Sequence, residues 1–552
     1  MTRSLSRPLT ALLAVLSLSW SPSLLQPSLG AQDLGSGALR TRAERTGFRE
    51  TTRYEEVMEI SREMARLNPR IQLTTFGYTF EGRPLPLLVV GAVDDPSPEA
   101  VRASGKTRVY IQGGIHAGEI AGKEALLMLL VELARGDHSH WTDSLVLLMA
   151  PLYNADGNER VNLLNRRRQN GPVGGMGQRS NAMGLDLNRD QMKLDAPESR
   201  ALLGLYSNYD PHVSVDLHTT NGTRHAYHLT YAPPLNPNTP AEIDGFLRED
   251  WLPAVTRGVK EKHGWDFYYF GDVRQPRGAE EAGWYTFDPR GRYVSNHIGL
   301  RNRFGILGEA FAYATFQDRT LASKWFTEEI LDFAYSHAEE IQARTMSADA
   351  RSVVGDRLSL RATPQQSEAP VTILMGDVVE ERNPYSGQTM LRRTDTQVPT
   401  EMYEYGTFSP TETESVPSVY FLPSTQRAVL ERLQAHGIRT SVLSQSLTLE
   451  VQEFLVDSVT TSTREYEGHQ GQEVFGAYRT AQMEYGAGTV VLSMDQPLAR
   501  VAFALLEPRS DDGFVAWGFL ESDLEAGEPY PFTRAFPESV AGLSFGSFEE
   551  SR

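Results

Sequence analysis

Residues 107–135 read TRVYIQGGIHAGEIAGKEALLMLLVELAR, and the rest of the chain is organised around them. Residues 107–112 combine alternation with β-branched and aromatic side chains, the pattern of a buried strand. Gly113-Gly114 breaks that run. Residues 121–135 are good helix formers with apolar side chains at helical spacing. The turn between strand and helix carries His116 and Glu119, three residues apart. Where a strand end curls into a helix, that spacing lets both side chains converge on one cation. Imidazole nitrogen and carboxylate oxygen are both ordinary zinc ligands, and a catalytic zinc takes a third protein ligand while keeping one position open. The sequence supplies that ligand at 213–218, VSVDLH, a short apolar run ending in His218 and followed by the polar cluster Thr219-Thr220-Asn221-Gly222. A His at the end of a buried strand faces the place where open α/β sheets put their ligands. A His-x-x-Glu pair alone equally describes a capped helix start with a surface His, so its neighbours decide.

Those neighbours form an ordered series. Asn154-Ala155-Asp156-Gly157 follows a predicted strand at 145–151. Then come Asn165-Arg166-Arg167-Arg168, Leu185-Asp186-Leu187-Asn188-Arg189, Asp216-Leu217-His218 and Gly305-Ile306-Leu307-Gly308-Glu309. In this order, over residues 108–309, the sequence resembles the zinc carboxypeptidase family (peptidase family M14). The resemblance implies an α/β fold with a mixed central sheet and helices on both faces. It implies one zinc ion held by His116, Glu119 and His218, and hydrolysis of peptide bonds at the C-terminus. It makes Glu309 the general base that deprotonates a metal-activated water and passes the proton to the leaving amine, chemistry open to a carboxylate beside zinc. An Arg of the 166–168 triplet is implied to polarise the scissile carbonyl, a task suited to a permanent charge with rigid donors. Arg166 and Arg168 both qualify, and Arg168 is preferred. Asn188 and Arg189 match the pair that grips the substrate's terminal carboxylate. Asp186 matches the acid that orients the first zinc-binding His. A Tyr is expected over the substrate, with Tyr285 and Tyr293 as candidates and Tyr293 preferred.

One departure stands out. Members that trim C-terminal residues carry Arg between the ligand His and Glu, and this chain has Ala117-Gly118 there. That loss leaves room for an endopeptidase of longer, modified or cell-wall peptides. Val294, Ser295 and Asn296 stand near the expected pocket base without an acidic residue, which points to a neutral substrate side chain. A zinc amidohydrolase of the deacylase type shares the ligand pattern, but the long loop at 268–294 and the extra C-terminal residues favour peptides. A non-catalytic binding protein on this fold is disfavoured by the intact Glu309 and ligand set.

The 552 residues suffice for two or three domains. A net charge of −18 argues against nucleic acid or an anionic membrane as the main partner, and the resemblance implies a peptide substrate. The absence of cysteine excludes disulfides and leaves only N and O donors for zinc. Residues 1–31 read as a secretory signal: Arg3 and Arg7, a mostly apolar run at 9–25, then small residues around 28–31. Export to the periplasm or the extracellular space is expected. Pro22 and Pro27 and the shortness of the run disfavour a membrane anchor. The catalytic domain is assigned to 45–345. It holds a helix at 48–68, two strands within 73–90 around Glu81-Gly82-Arg83 and a polar loop at 162–188. A helix at 253–263, an active-site loop at 268–294, a strand at 303–307 and a helix at 321–344 follow. From 346 to 552 Thr, Ser, Val and Tyr alternate, and this part reads as a β-rich accessory domain. It contains one clear helix at 425–436, a segment at 501–506 open to either reading, and a lone His469 read as structural.

Overall fold

The apolar runs at 107–113, 145–150 and 213–219 are each wholly buried, as parallel strands covered on both faces must be. The computed structural model describes residues 40–277 and 281–541; the predicted signal at 1–31 lies outside them. The three runs sit at the centre of an eight-stranded sheet. Its strands are β1 (Ile71–Tyr78), β2 (Pro84–Val90), β3 (Thr107–Gly113), β4 (Leu145–Ala150), β5 (Val213–Thr219), β6 (Leu229–Ala232), β7 (Phe267–Tyr269) and β8 (Phe304–Ala310). Their order is β1-β2-β4-β3-β5-β8-β6-β7. β4, β3, β5 and β8 run parallel. The β1–β2 hairpin joins one side antiparallel to β4, and β6 joins the other antiparallel to β8. From β3 the chain goes to β4 on one side and later returns as β5 on the other. The switch point therefore lies between β3 and β5, where such sheets open a crevice.

Glycine makes the turn out of β3 possible. Gly114 has φ 73°, a left-handed value that a side chain would resist. At Gly122 a Cβ would lie 2.6 Å from Leu217 Cβ, so helix Ile120–Arg135 settles on β5 at a distance only glycine permits. Its first turn buries two charges, and both are matched. Lys123 Nζ donates to Asn158 Oδ1 at 2.7 Å, and Glu124 accepts from Thr51 Oγ1, Thr52 N and Thr52 Oγ1, each at 2.7 Å. Buried ions persist when they are paired in this way. Helices Tyr54–Leu67 and Phe316–Ser336 pack beside Ile120–Arg135. On the opposite face, Tyr110, Val146 and Leu148 pack with Leu202, Leu203 and Tyr206 of helix Pro197–Tyr209 and Ile298 of helix Val294–Leu300. The mixed sheet with helices on both faces is thus present.

Some elements differ from expectation. The helix expected at 321–344 is two helices, Phe316–Ser336 and Ala338–Ala350, parted at His337 with φ −122° and ψ 23°. No Gly or Pro marks the break. The His337 ring stacks on Phe333 at 3.9 Å, and its Nδ1 lies 3.0 Å from the Phe333 carbonyl, so the side chain caps the last turn itself. The loop expected at 268–294 contains two short strands, Asp272–Arg274 and Gly283–Tyr285, and the second pairs with Glu404–Tyr405. The segment open to either reading lies in helix Ala499–Leu506.

Beyond Ala350 the chain is rich in strands. Antiparallel pairs join Arg357–Gln365 to Thr407–Ser415, Val371–Met375 to Val398–Met402, and Val378–Arg382 to Thr389–Arg393. A six-stranded sheet follows, dominated by a long hairpin of Leu447–Tyr466 and His469–Tyr485. Phe454, Val474, Phe503 and Phe514 of this region share one apolar cluster with Met192 and Leu300 of the N-terminal region. Among the described residues no helix is long and apolar enough to cross a membrane.

Candidate metal centre

Adjacent parallel strands deliver the central residues. His116 lies just beyond β3, and His218 lies in β5 directly across from Glu309 in β8. Glu119 is the N-cap of helix Ile120–Arg135. The donor atoms of His116, Glu119 and His218 all lie within 4.8 Å of one another, and all three residues are buried. His116 Nδ1 is 3.0 Å from Glu119 Oε1, His218 Nδ1 is 2.9 Å from Glu119 Oε2, and the two Nδ1 atoms are 3.3 Å apart. A carboxylate holds the far edge of each ring: Asp186 Oδ1 at 3.0 Å from His116 Nε2, and Asp216 Oδ2 at 2.7 Å from His218 Nε2. This outer pair fixes both imidazoles with Nδ1 turned inward and makes that nitrogen a stronger donor. Two nitrogens and a carboxylate converging in this way fit zinc.

Charge around the centre is finely set. Arg166 is ion-paired to Glu119. Arg179 donates through Nε to Asp186 Oδ2 at 2.9 Å, and its Nη1 lies 3.3 Å from His116 Nδ1. Burial works against the Glu119 carboxylate, but Arg166 and His116 hold it well below the usual range. Burial likewise opposes ionisation of Asp186, and His116 and Arg179 overcome it. Glu309 differs: burial pushes it up to about 8, with His218, Arg166 and Arg179 pulling the other way and Glu119 adding to the rise. Its Oε2 is buried and accepts no hydrogen bond from the protein.

His116, Glu119, Arg166, Arg179 and Glu309 line a cleft of about 340 Å³. Asn188 and Arg189 lie on its wall. Asn188 Oδ1 accepts from Val294 N at 2.9 Å, which leaves its Nδ2 for a ligand. The Arg189 guanidinium lies 4.1 Å from the centre of the Tyr293 ring, and Tyr293 also lines the cleft. Tyr285 instead stacks on Tyr405 at 4.0 Å. Of 294–296, only Ser295 reaches the cleft. Asn296 is buried, accepting from Leu235 N and donating to the carbonyls of Asp288 and Arg290.

The preference for Arg168 needs correction. Arg168 is exposed and does not line the cleft; its carbonyl accepts from Leu391 N at 2.8 Å. Arg166 lines the cleft instead. Its φ of 53° puts a left-handed kink in the loop, which turns this one member of the triplet inward. Nothing in three consecutive arginines announces which one takes that conformation. The Arg missing beside Glu119 is explained by the same residue. A Cβ at Gly118 would lie 2.6 Å from the Gly177 carbonyl oxygen and 3.2 Å from Arg166 Cγ, so the loop backbone and the Arg166 side chain together occupy the space that a side chain at 118 would take. Sequence reading also missed Arg179 and Asp216. Arg179 sits in the polar loop with no spacing signal, whereas Asp216 stands two residues before His218, an offset that puts both on one face of a strand.

A second cluster, Glu132, His138 and Glu328, has donor atoms close enough for a metal. Lys324 Nζ already lies 2.9 Å from Glu132 Oε2 and 2.6 Å from Glu328 Oε1, so a side-chain cation fills it.

Sheet topology, a His–Glu–His donor set and a buried acid beside it define a zinc metallopeptidase of the carboxypeptidase type. Residues 57–195 match the model of the zinc carboxypeptidase family. It is 26% identical over 514 residues to carboxypeptidase 2 of Trichophyton rubrum, covering 88% of this chain and 86% of that protein. It is 25% identical over 497 residues to the probable carboxypeptidase 2 of Arthroderma benhamiae, covering 84% of each. Among solved structures, carboxypeptidase A of Helicoverpa armigera aligns with a TM-score of 0.40 at 16% identity, over 56% of this chain and 78% of that one.

Proposed function

We propose that the protein is an exported carboxypeptidase that removes residues from the C-terminus of peptides, with Glu309 as general base. The observation that carries this reading is the buried, unpartnered Glu309 Oε2, set by strand register beside His218 and facing a cleft walled by Arg166 and Arg189. Zinc, held by His116, Glu119 and His218, supplies Lewis acidity that polarises a carbonyl and acidifies water. Glu309 Oε2 takes the proton of the attacking water and hands it to the departing amine. Its isolation from protein donors keeps it free for both transfers. Arg166 aims a permanent charge at the carbonyl oxygen and holds the negative charge that develops there.

Arg189 and the free Nδ2 of Asn188 grip the terminal carboxylate, and the stack on Tyr293 orients the Arg189 fork. Phe270, Phe287 and Leu307 give the cleft an apolar wall. The carboxylates nearby are already engaged: Asp288 by Arg290 and Asp272 by Arg274 and Asn221. The lining therefore favours an apolar terminal side chain over a basic one. Export rests on the 1–31 pattern and is tested by the N-terminal sequence of the mature protein.

The experiment is digestion of a peptide library read by mass spectrometry, with and without a chelator. Stepwise loss of C-terminal residues, abolished by chelation and restored by zinc, is the expected result. Internal cuts alone would contradict the exopeptidase reading.

A further inference from the structure

The C-terminal region reaches the metal centre at one point. The long hairpin of Leu447–Tyr466 and His469–Tyr485 closes with Tyr466 paired to His469, leaving Glu467-Gly468 as a two-residue turn. Both turn residues have positive φ, 50° for Glu467 and 82° for Gly468. Such a turn calls for Asn, Asp or Gly at its first position, and a Glu there is held in a conformation it does not favour. Strain kept at the first residue of the turn points to a task for its side chain. Glu467 Oε2 accepts a hydrogen bond from Asp186 N at 2.8 Å. Asp186 in turn contacts His116 Nε2 at 3.0 Å through Oδ1, which also accepts from Asn188 N at 2.9 Å. One carboxylate on the hairpin tip thus anchors the residue that orients a zinc ligand and starts the carboxylate-binding turn.

The contacts on either side aim the tip. His469 Nε2 lies 2.6 Å from Asp195 Oδ2, and Arg432 donates to Asp195 Oδ1 at 2.9 Å and to the Lys193 carbonyl at 2.8 Å. Asp512 accepts from the Arg292 N–H at 2.7 Å and from Arg292 Nε at 2.8 Å, next to Tyr293. Segments 186–195 and 290–294, which build the Arg189 wall of the cleft, are both clasped from the C-terminal side.

We propose that Glu467 is a positioning residue for the metal centre: through the Asp186 amide it sets the orientation of His116 and of the Asn188–Arg189 turn. The C-terminal region is thereby part of the enzyme's active architecture. This inference rests on His116, Glu119 and His218 being the metal site.

The test is Glu467→Asn in the full chain, a residue that suits the turn but is too short to reach the amide, with Glu467→Gln keeping an acceptor oxygen in place. Glu467→Asn is expected to leave the Tm unchanged or raise it. It should release zinc to a chelator roughly tenfold faster, the low end of the effect of removing a metal's outer-shell partner. It should lower kcat by a similar factor and speed amide hydrogen exchange in the peptide spanning 183–190 of the metal-free protein. Glu467→Gln should stay close to wild type in all of these. Wild-type zinc release by Glu467→Asn would overturn the proposal, and so would a loss in Glu467→Gln as large as in Glu467→Asn. A wild-type protein that binds zinc but cleaves no peptide would sink the proposed function, while the zinc-release comparison would still decide the role of Glu467.

Discussion

Replacing Glu309 by Gln separates catalysis from stability. The amide matches the carboxylate in shape but cannot accept the proton from water, so kcat should fall by about 10²–10⁴-fold, the usual contribution of general acid–base catalysis. Metal binding should survive, because Glu309 is not among the three converging donors. Stability should move the other way. Burial raises this carboxyl from 4.5 to about 8 in the metal-free chain. A group whose folded pKa is raised contributes fully at low pH and loses that contribution as pH climbs from its unfolded to its folded value. At 1.36 kcal/mol per pH unit, the full cost is at most about 5 kcal/mol. Metal-free Glu309→Gln should therefore unfold at a higher temperature than wild type at pH 8.5, with the gap closing towards pH 5. Turnover of a peptide with an apolar C-terminus, zinc content and thermal unfolding at the two pH values check the three parts. A variant with wild-type kcat would refute the assignment of the base, and equal stability gains at both pH values would refute the electrostatic argument.

Arg166→Ala should lower kcat by about 10²–10³-fold, as loss of a donor to a developing oxyanion does, while Arg168→Ala, outside the cleft, should leave steady-state kinetics unchanged. Arg189→Ala should raise KM by about 10–100-fold for peptides with a free terminal carboxylate, since it removes hydrogen bonds to a charged group, and should change little for amidated ones. His138 is raised from 6.5 to about 9 by its hydrogen bonds to Glu132 and Glu328, with burial opposing. Its contribution is therefore complete below pH 6.5 and lost as pH rises through 9. Because the site is partly exposed, His138→Gln should cost only about 1 kcal/mol at pH 6 and nothing measurable at pH 10, read from chemical denaturation.

Much of the architecture is legible in local patterns. The strand at 107–113 and the helix after it follow from alternation, a glycine pair and helical spacing, and their burial leaves the turn with His116 and Glu119 at a strand end. Glu309 and His218 are far apart in the chain, and only the parallel register of β5 and β8 makes them neighbours. The order of motifs brought that pairing within reach where spacing alone could not. The choice of Arg166 over Arg168 was not legible because its inward turn depends on a left-handed backbone within a long loop, set by packing around Gly118 and not by local propensity. The break at His337 escaped for a similar reason: a ring stacked on Phe333 ends a helix that carries no breaker residue. The contact of Glu467 with Asp186 spans 281 positions, and no pattern within a window of sequence reports it.

The most direct measurement is a crystal structure of the zinc-loaded protein with anomalous diffraction recorded at the zinc edge. A single peak about 2.0–2.2 Å from His116 Nδ1, a Glu119 carboxylate oxygen and His218 Nδ1 is the predicted result, with Glu309 unligated beside it. An ion bound elsewhere, or one that leaves His218 uncoordinated, would contradict the account.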